Sequence, residues 1–134
     1  MSHINTIEGI GESHTKKFAE IGITTAEHLL QAGATPKGRK ELAAKTGFSE
    51  HHVLKWVNQA DLFRVKGIGR QYAELLQASG VDSVKELAQR LPDHLHEKIK
   101  ASNEAKHQVH VIPNVETVTT WIAEAKQLPR IVTY

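Results

Sequence analysis

The segment VKGIGRQYAELLQASGVDSVKELA, residues 65–88, has a near twin in IEGIGESHTKKFAEIGITTAEHLL, residues 7–30. Each opens on a glycine-isoleucine-glycine turn, Gly67-Ile68-Gly69 and Gly9-Ile10-Gly11. Aligned without gaps, Gly22 falls on Gly80 and Leu29 on Leu87, while Ile7, Phe18 and Ile23 match Val65, Leu76 and Val81. The chain therefore carries an internal duplication. Glycines on both sides of one apolar residue give access to positive φ and let the backbone approach a partner closely. The amides of such a turn, placed where a helix begins, suit an anion.

Outward from the two turns the apolar spacing is helical. In the first copy a short entry, Ile4 to Ile7, leads into a helix from about Glu12 to Ile21, with His14, Phe18 and Ile21 on one face. Gly22 ends it, and Thr24 or Thr25 caps a second helix, in which Glu27 completes a Thr-x-x-Glu capping box and Ala26, Leu29 and Leu30 face inward. The second copy repeats this grammar. Tyr72, Leu75 and Leu76 form its first inward face, Gly80 its stop, Asp82 or Ser83 its cap, and Val84, Leu87, Ala88 and Leu91 its next stripe. Between the copies, Thr35-Pro36 is a cap followed by proline at the first helical position, opening a helix that Gly47 closes. Ser49 caps another to about Ala60, with Val53, Trp56, Val57 and Ala60 at helical spacing. Beyond Pro92 a helix to about His107, an extended link to Pro113 and a last helix after Asn114 are predicted, the last with Val115, Val118, Ile122 and Ala125 on one stripe.

No segment reads as a sheet. The expected fold is a single all-α domain over 1–134: a first repeat at 1–34, a helical linker at 35–61, a second repeat at 62–91, and C-terminal helices with a tail at 92–134.

With 134 residues, 40% of them hydrophobic, the chain is long enough to bury a core, and no apolar run is long enough to span a membrane. No secretory leader is recognisable, and the lack of cysteine removes disulfides and thiolate metal sites, so a cytoplasmic location is expected. Net charge is only +2, but it is unevenly spread. Residues 1–34 carry two lysines against four glutamates. Residues 35–80 carry eight basic side chains (Lys37, Arg39, Lys40, Lys45, Lys55, Arg64, Lys66, Arg70) against four acids, and the remainder balances. An anionic partner is therefore expected at the middle of the chain, which includes the second glycine turn.

A helix, an apolar-x-Gly-apolar-Gly turn and a second helix together resemble the helix-hairpin-helix motif, best in Leu62-Phe-Arg-Val-Lys-Gly-Ile-Gly-Arg-Gln-Tyr-Ala-Glu-Leu-Leu76. That resemblance implies hairpin amides bonding phosphate oxygens of DNA without reading bases. By position, Gly67, Ile68 and Gly69 would supply the amides and Lys66 and Arg70 the flanking charge; the basic middle segment adds Arg64, Lys37, Arg39 and Lys40 as further expected phosphate partners. The first turn departs from this pattern. Glu8 and Glu12 stand where Lys66 and Arg70 stand in the second copy, and only six residues precede Ile7. An architectural role is expected there. Beyond the turns, Gly33-Ala-Thr-Pro-Lys-Gly-Arg-Lys-Glu-Leu-Ala43, Trp56-Val-Asn-Gln-Ala-Asp-Leu62 and Leu128-Pro-Arg-Ile-Val-Thr-Tyr134 resemble the domain-of-unknown-function family 4332 over almost the whole chain.

Other constellations are weaker. Leu42, Ala43, Gly47, Phe48, Val53 and Trp56 have helix-turn-helix spacing, which would put Ser49, Glu50, His51 and Lys55 on a recognition helix, but Glu50 suits phosphate poorly. This helix pair is expected instead to pack between the repeats. The histidine pairs His51-His52, His94-x-His96 and His107-x-x-His110 lack a metal-binding pattern, and His14 aligns with Tyr72 as a packed residue. No nucleophile elbow, P-loop or dinucleotide fingerprint is present. Trp56 and Trp121 belong to or beside apolar stripes and are expected in the core. The chain is thus read as a non-catalytic binder without cofactor or metal, its partner either nucleic acid or, with purely structural hairpins, another protein.

Overall fold

The computed structural model describes residues 3–134; Met1 and Ser2, which open the expected 1–34 repeat, lie outside them. Among the described residues the protein is all-α, and the only extended pairing is a single bridge between His3 and Thr25. After a short 3-10 turn at Ile4–Thr6 come α1 (Glu12–Glu20), α2 (Ala26–Ala32), α3 (Pro36–Thr46), α4 (Glu50–Leu62), α5 (Arg70–Ala78), α6 (Val84–Ala88), α7 (Pro92–Lys106) and α8 (Val115–Gln127).

The helix starts are written in side-chain caps. Thr35 accepts from Gly38 N at 3.1 Å ahead of Pro36, and Asn114 accepts from Thr117 N at 2.8 Å. Ser49 does the same for His52 N, and Ser83 for Glu86 N. Each oxygen satisfies one of the donors that a helix start leaves without a carbonyl. Replacing Thr35 by alanine should therefore cost about 1 kcal/mol, measurable as a shift in urea midpoint at constant m.

Two local expectations are corrected. The cap of α2 is Thr25, bonded to His28 N at 3.0 Å, so Glu27 does not sit at the capping-box position; the His28 ring reaches back to Thr24 N instead. Leu91, expected on an inward stripe, is 61% exposed. It serves as the extended N-cap residue of α7, immediately before Pro92. There its backbone, held in the β region that precedes a proline, matters more than its side chain.

The chain divides into two compact units, one running to Asp61 and taking in Arg130–Tyr134, the other spanning Leu62–Pro129. The helices α3 and α4, expected to form a linker between the repeats, therefore lie inside the first unit. That unit buries Ile7, Phe18, Leu29, Val53, Trp56 and Val57, among others, and draws Phe18, Phe48 and Trp56 into one aromatic group with ring centroids 5.2–5.9 Å apart. Its tail is tied in by Thr133 N donating to Ala34 O at 2.8 Å and by Tyr134 OH donating to Asn58 Oδ1 at 2.7 Å. The second unit closes on a core of Val65, Ile68, Leu76, Leu87, Ile99, Val118, Trp121 and Ile122 with their neighbours. The loop after α7 is held by Asn103, whose amide brackets the backbone of Val109 from both sides.

Candidate nucleic-acid interface

The two glycine turns share one backbone. Gly9 and Gly67 have φ of 93° and 90°, the left-handed region that a Cβ makes costly, and Gly11 and Gly69 are extended at −89°, −166° and −102°, −163°. Between them Ile10 and Ile68 point inward and are buried. In the second turn Ile68 is 4% exposed and its amide donates to Val65 O at 3.1 Å. Ile68, expected to offer that amide to a phosphate, acts instead as the anchor that fixes the turn to the core.

Gly69 is the N-cap residue of α5 and makes no side-chain cap bond, since it has no side chain to make one. The first helical bond runs from Ala73 N to Gly69 O, so the amides ahead of it have no carbonyl of their own helix to serve. Lys66, Gly67, Gly69 and Arg70 are all exposed around this helix start. They combine a glycine pair that lets an anion close to the backbone with two cations and the positive end of the α5 dipole. The first turn has the same geometry with the opposite charge. Glu12 opens α1, and Glu8 precedes Gly9.

Behind each turn stands a clasp that sequence patterning did not single out. In the second unit Lys66 N donates to Glu124 Oε2 at 3.0 Å, and a Cβ on Gly67 would lie 3.3 Å from Trp121 Nε1. In the first unit Glu8 N donates to Gln59 Oε1 at 3.1 Å, and a Cβ on Gly9 would lie 3.0 Å from Trp56 Nε1. A Trp-x-x-Gln and a Trp-x-x-Glu, one helical turn apart on α4 and α8, thus grip equivalent turns. The signal was present in the sequence as those two tetrapeptides. Seven residues of extra spacing between turn and tryptophan in the second unit hide the match from an ungapped alignment.

The other expected site residues are not gathered at this turn. Arg64 lies three residues before Gly67 in the second unit and donates to Pro129 O. Lys37 and Lys40 are exposed on α3, in the first unit. Arg39, expected among the phosphate partners, faces inward instead. It is 6% exposed, and its guanidinium donates to Gly33 O at 2.9 Å, Ala34 O at 3.2 Å and Thr133 O at 2.7 Å, with the Tyr134 ring 5.6 Å away. Burial pulls its pKa below the usual arginine value, with Tyr134 and Glu50 acting in the opposite sense. Leu42 and Thr46 are buried on the same helix, so the stripe 39, 42, 46 was the available sign that Arg39 faces inward.

The two tryptophans lie where the apolar stripes place them. Trp56 and Trp121 are both buried. His14 stacks on Phe48 with centroids 4.5 Å apart, and His52 stacks on Trp56 at 5.8 Å.

Among the described residues no helix is long and apolar enough to cross a membrane. No curated protein and no solved structure matches the chain. The family model for the domain of unknown function DUF4332 matches residues 8–128, which take in both glycine turns and both clasps, and the chain belongs to that family.

Proposed function

We propose that this protein binds the phosphate backbone of nucleic acid without sequence preference, as a tandem helix-hairpin-helix protein that uses its second hairpin and performs no catalysis. The observation that carries the reading is the exposed Gly67 and Gly69 pair at the uncapped start of α5, with Lys66 and Arg70 on either side. Gly67 and Gly69 admit the phosphate, the first-turn amides of α5 donate to it, and the two side chains neutralise it. Such contacts hold a duplex in place but carry no base information. The first hairpin, with Glu8 and Glu12 beside it, repels phosphate and serves architecture.

Those two glutamates also favour a second reading, in which both hairpins are structural and the protein docks another protein. Fluorescence anisotropy with a labelled duplex across a salt series separates the two. The nucleic-acid reading expects measurable binding at low salt, with the slope of log K against log salt shallower by about two units in Lys66→Glu/Arg70→Glu, roughly one per lost phosphate contact. Absence of binding at low salt, or an unchanged slope in the double variant, would favour the protein-docking reading.

A further inference from the structure

We infer that Glu124 is the positioning residue of the second turn and that its charge sets how tightly that turn holds an anion. The inference rests on the phosphate-binding reading above. The two clasps differ in burial and in charge. Gln59, fully buried and neutral, accepts from Glu8 N at 3.1 Å, whereas Glu124, half-buried and acidic, accepts from Lys66 N at 3.0 Å. The hydrogen bond that holds the turn therefore does not require a carboxylate, because the first unit makes it with an amide. What the carboxylate adds is a negative charge bonded to the residue immediately before Gly67.

A phosphate approaching Gly67 and Gly69 meets the charges of Lys66 and Arg70 and, from behind the turn, that of Glu124. Over a few ångströms near the protein surface, one unit charge shifts affinity by about threefold to tenfold, and less as salt is raised. Glu124 thus has two separable effects. As a hydrogen-bond acceptor it keeps the Lys66 amide and the turn in place, and as an anion it weakens the site that it shapes.

Two substitutions separate these effects. Glu124→Gln keeps an acceptor and removes the charge, making the second clasp chemically like the first. Glu124→Ala removes both. Affinity for a labelled duplex is read by anisotropy, and affinity for inorganic phosphate by the shifts of the Gly67 and Gly69 amides in nitrogen-15 spectra. Hydrogen exchange at Lys66 N reads the clasp itself, independently of any ligand. Glu124→Gln should bind duplex and phosphate about threefold to tenfold more tightly than the unaltered protein at low salt, with Lys66 N still protected. Glu124→Ala should lose that protection and bind less tightly than Glu124→Gln despite the same net charge.

If the unaltered protein binds and Glu124→Gln binds equally or less well, the inference fails while the phosphate reading stands. Equal affinities for the glutamine and alanine variants would overturn the positioning role. Binding by Glu124→Gln alone would uphold the effect of Glu124 and remove the proposed function of the unaltered protein. Absence of binding by either, to duplex and to phosphate, would overturn both.

Discussion

Truncating Trp121 to alanine is expected to destabilise the second unit by about 3–5 kcal/mol, the range for removing a large aromatic side chain from a packed core. Trp121 is 3% exposed and lies within the second unit's core, with the Tyr72 ring 5.3 Å away. Its indole nitrogen also backs the Gly67 turn. The loss therefore combines a cavity with the removal of one wall of the turn, against a total stability of only about 5–15 kcal/mol for a typical domain. The chain has two tryptophans, one in each unit, so in Trp121→Ala the fluorescence of Trp56 reports the first unit alone. Urea titration should show far-UV ellipticity from α5–α8 disappearing at much lower denaturant than in the unaltered protein. A loss below about 1 kcal/mol would mean that the site collapses around the missing ring and that Trp121 does not organise the turn.

Arg39→Ala should cost the first unit about 3 kcal/mol while leaving the salt dependence of nucleic-acid binding unchanged. Three carbonyl groups, of Gly33, Ala34 and Thr133, lose charged donors at once, and the guanidinium contact with the Tyr134 ring disappears with them. Hydrogen bonds to a charged donor are each stronger than neutral ones, and the carbonyls left behind in a partly buried place lose solvation as well. Lysine should restore little of this, because one ammonium does not reproduce the planar fork that reaches the end of α2 and the tail together. Denaturant midpoints measure the first half of the expectation, and the anisotropy salt series measures the second. A stable Arg39→Ala protein with a shallower slope would return Arg39 to the phosphate contacts and remove its structural role.

Arg39 also shows what a linear sequence conceals. By charge alone it belongs with Lys37 and Lys40, and only the inward stripe that it shares with Leu42 and Thr46 separates it from them. The turns themselves were legible, because glycines fixed in number and spacing around a buried isoleucine announce their backbone directly. The all-helical character was legible for the same reason, through caps such as Thr35 and Asn114 and apolar spacing such as Val53, Trp56, Val57 and Ala60. The grouping of helices into two units was harder. Corresponding residues are 58 apart at the turns and 65 apart at the tryptophans, since α7 and the loop after it are longer than α3 and the loop that follows it. Loops tolerate such differences in length cheaply, so similar clasps can be built on segments whose spacing in sequence differs. As a result, α3 and α4 read in sequence as a linker rather than as part of the first unit, and no spacing pairs Gln59 with Glu124.

The most direct test of the central claim follows the backbone amides of the nitrogen-15-labelled protein while duplex DNA is added at low salt. Phosphate held at the second hairpin predicts saturable shifts concentrated at Gly67, Gly69 and the first turn of α5, with Gly9, Gly11 and Glu12 unmoved. Equal shifts at both turns, or shifts confined to residues elsewhere in the chain, would contradict it.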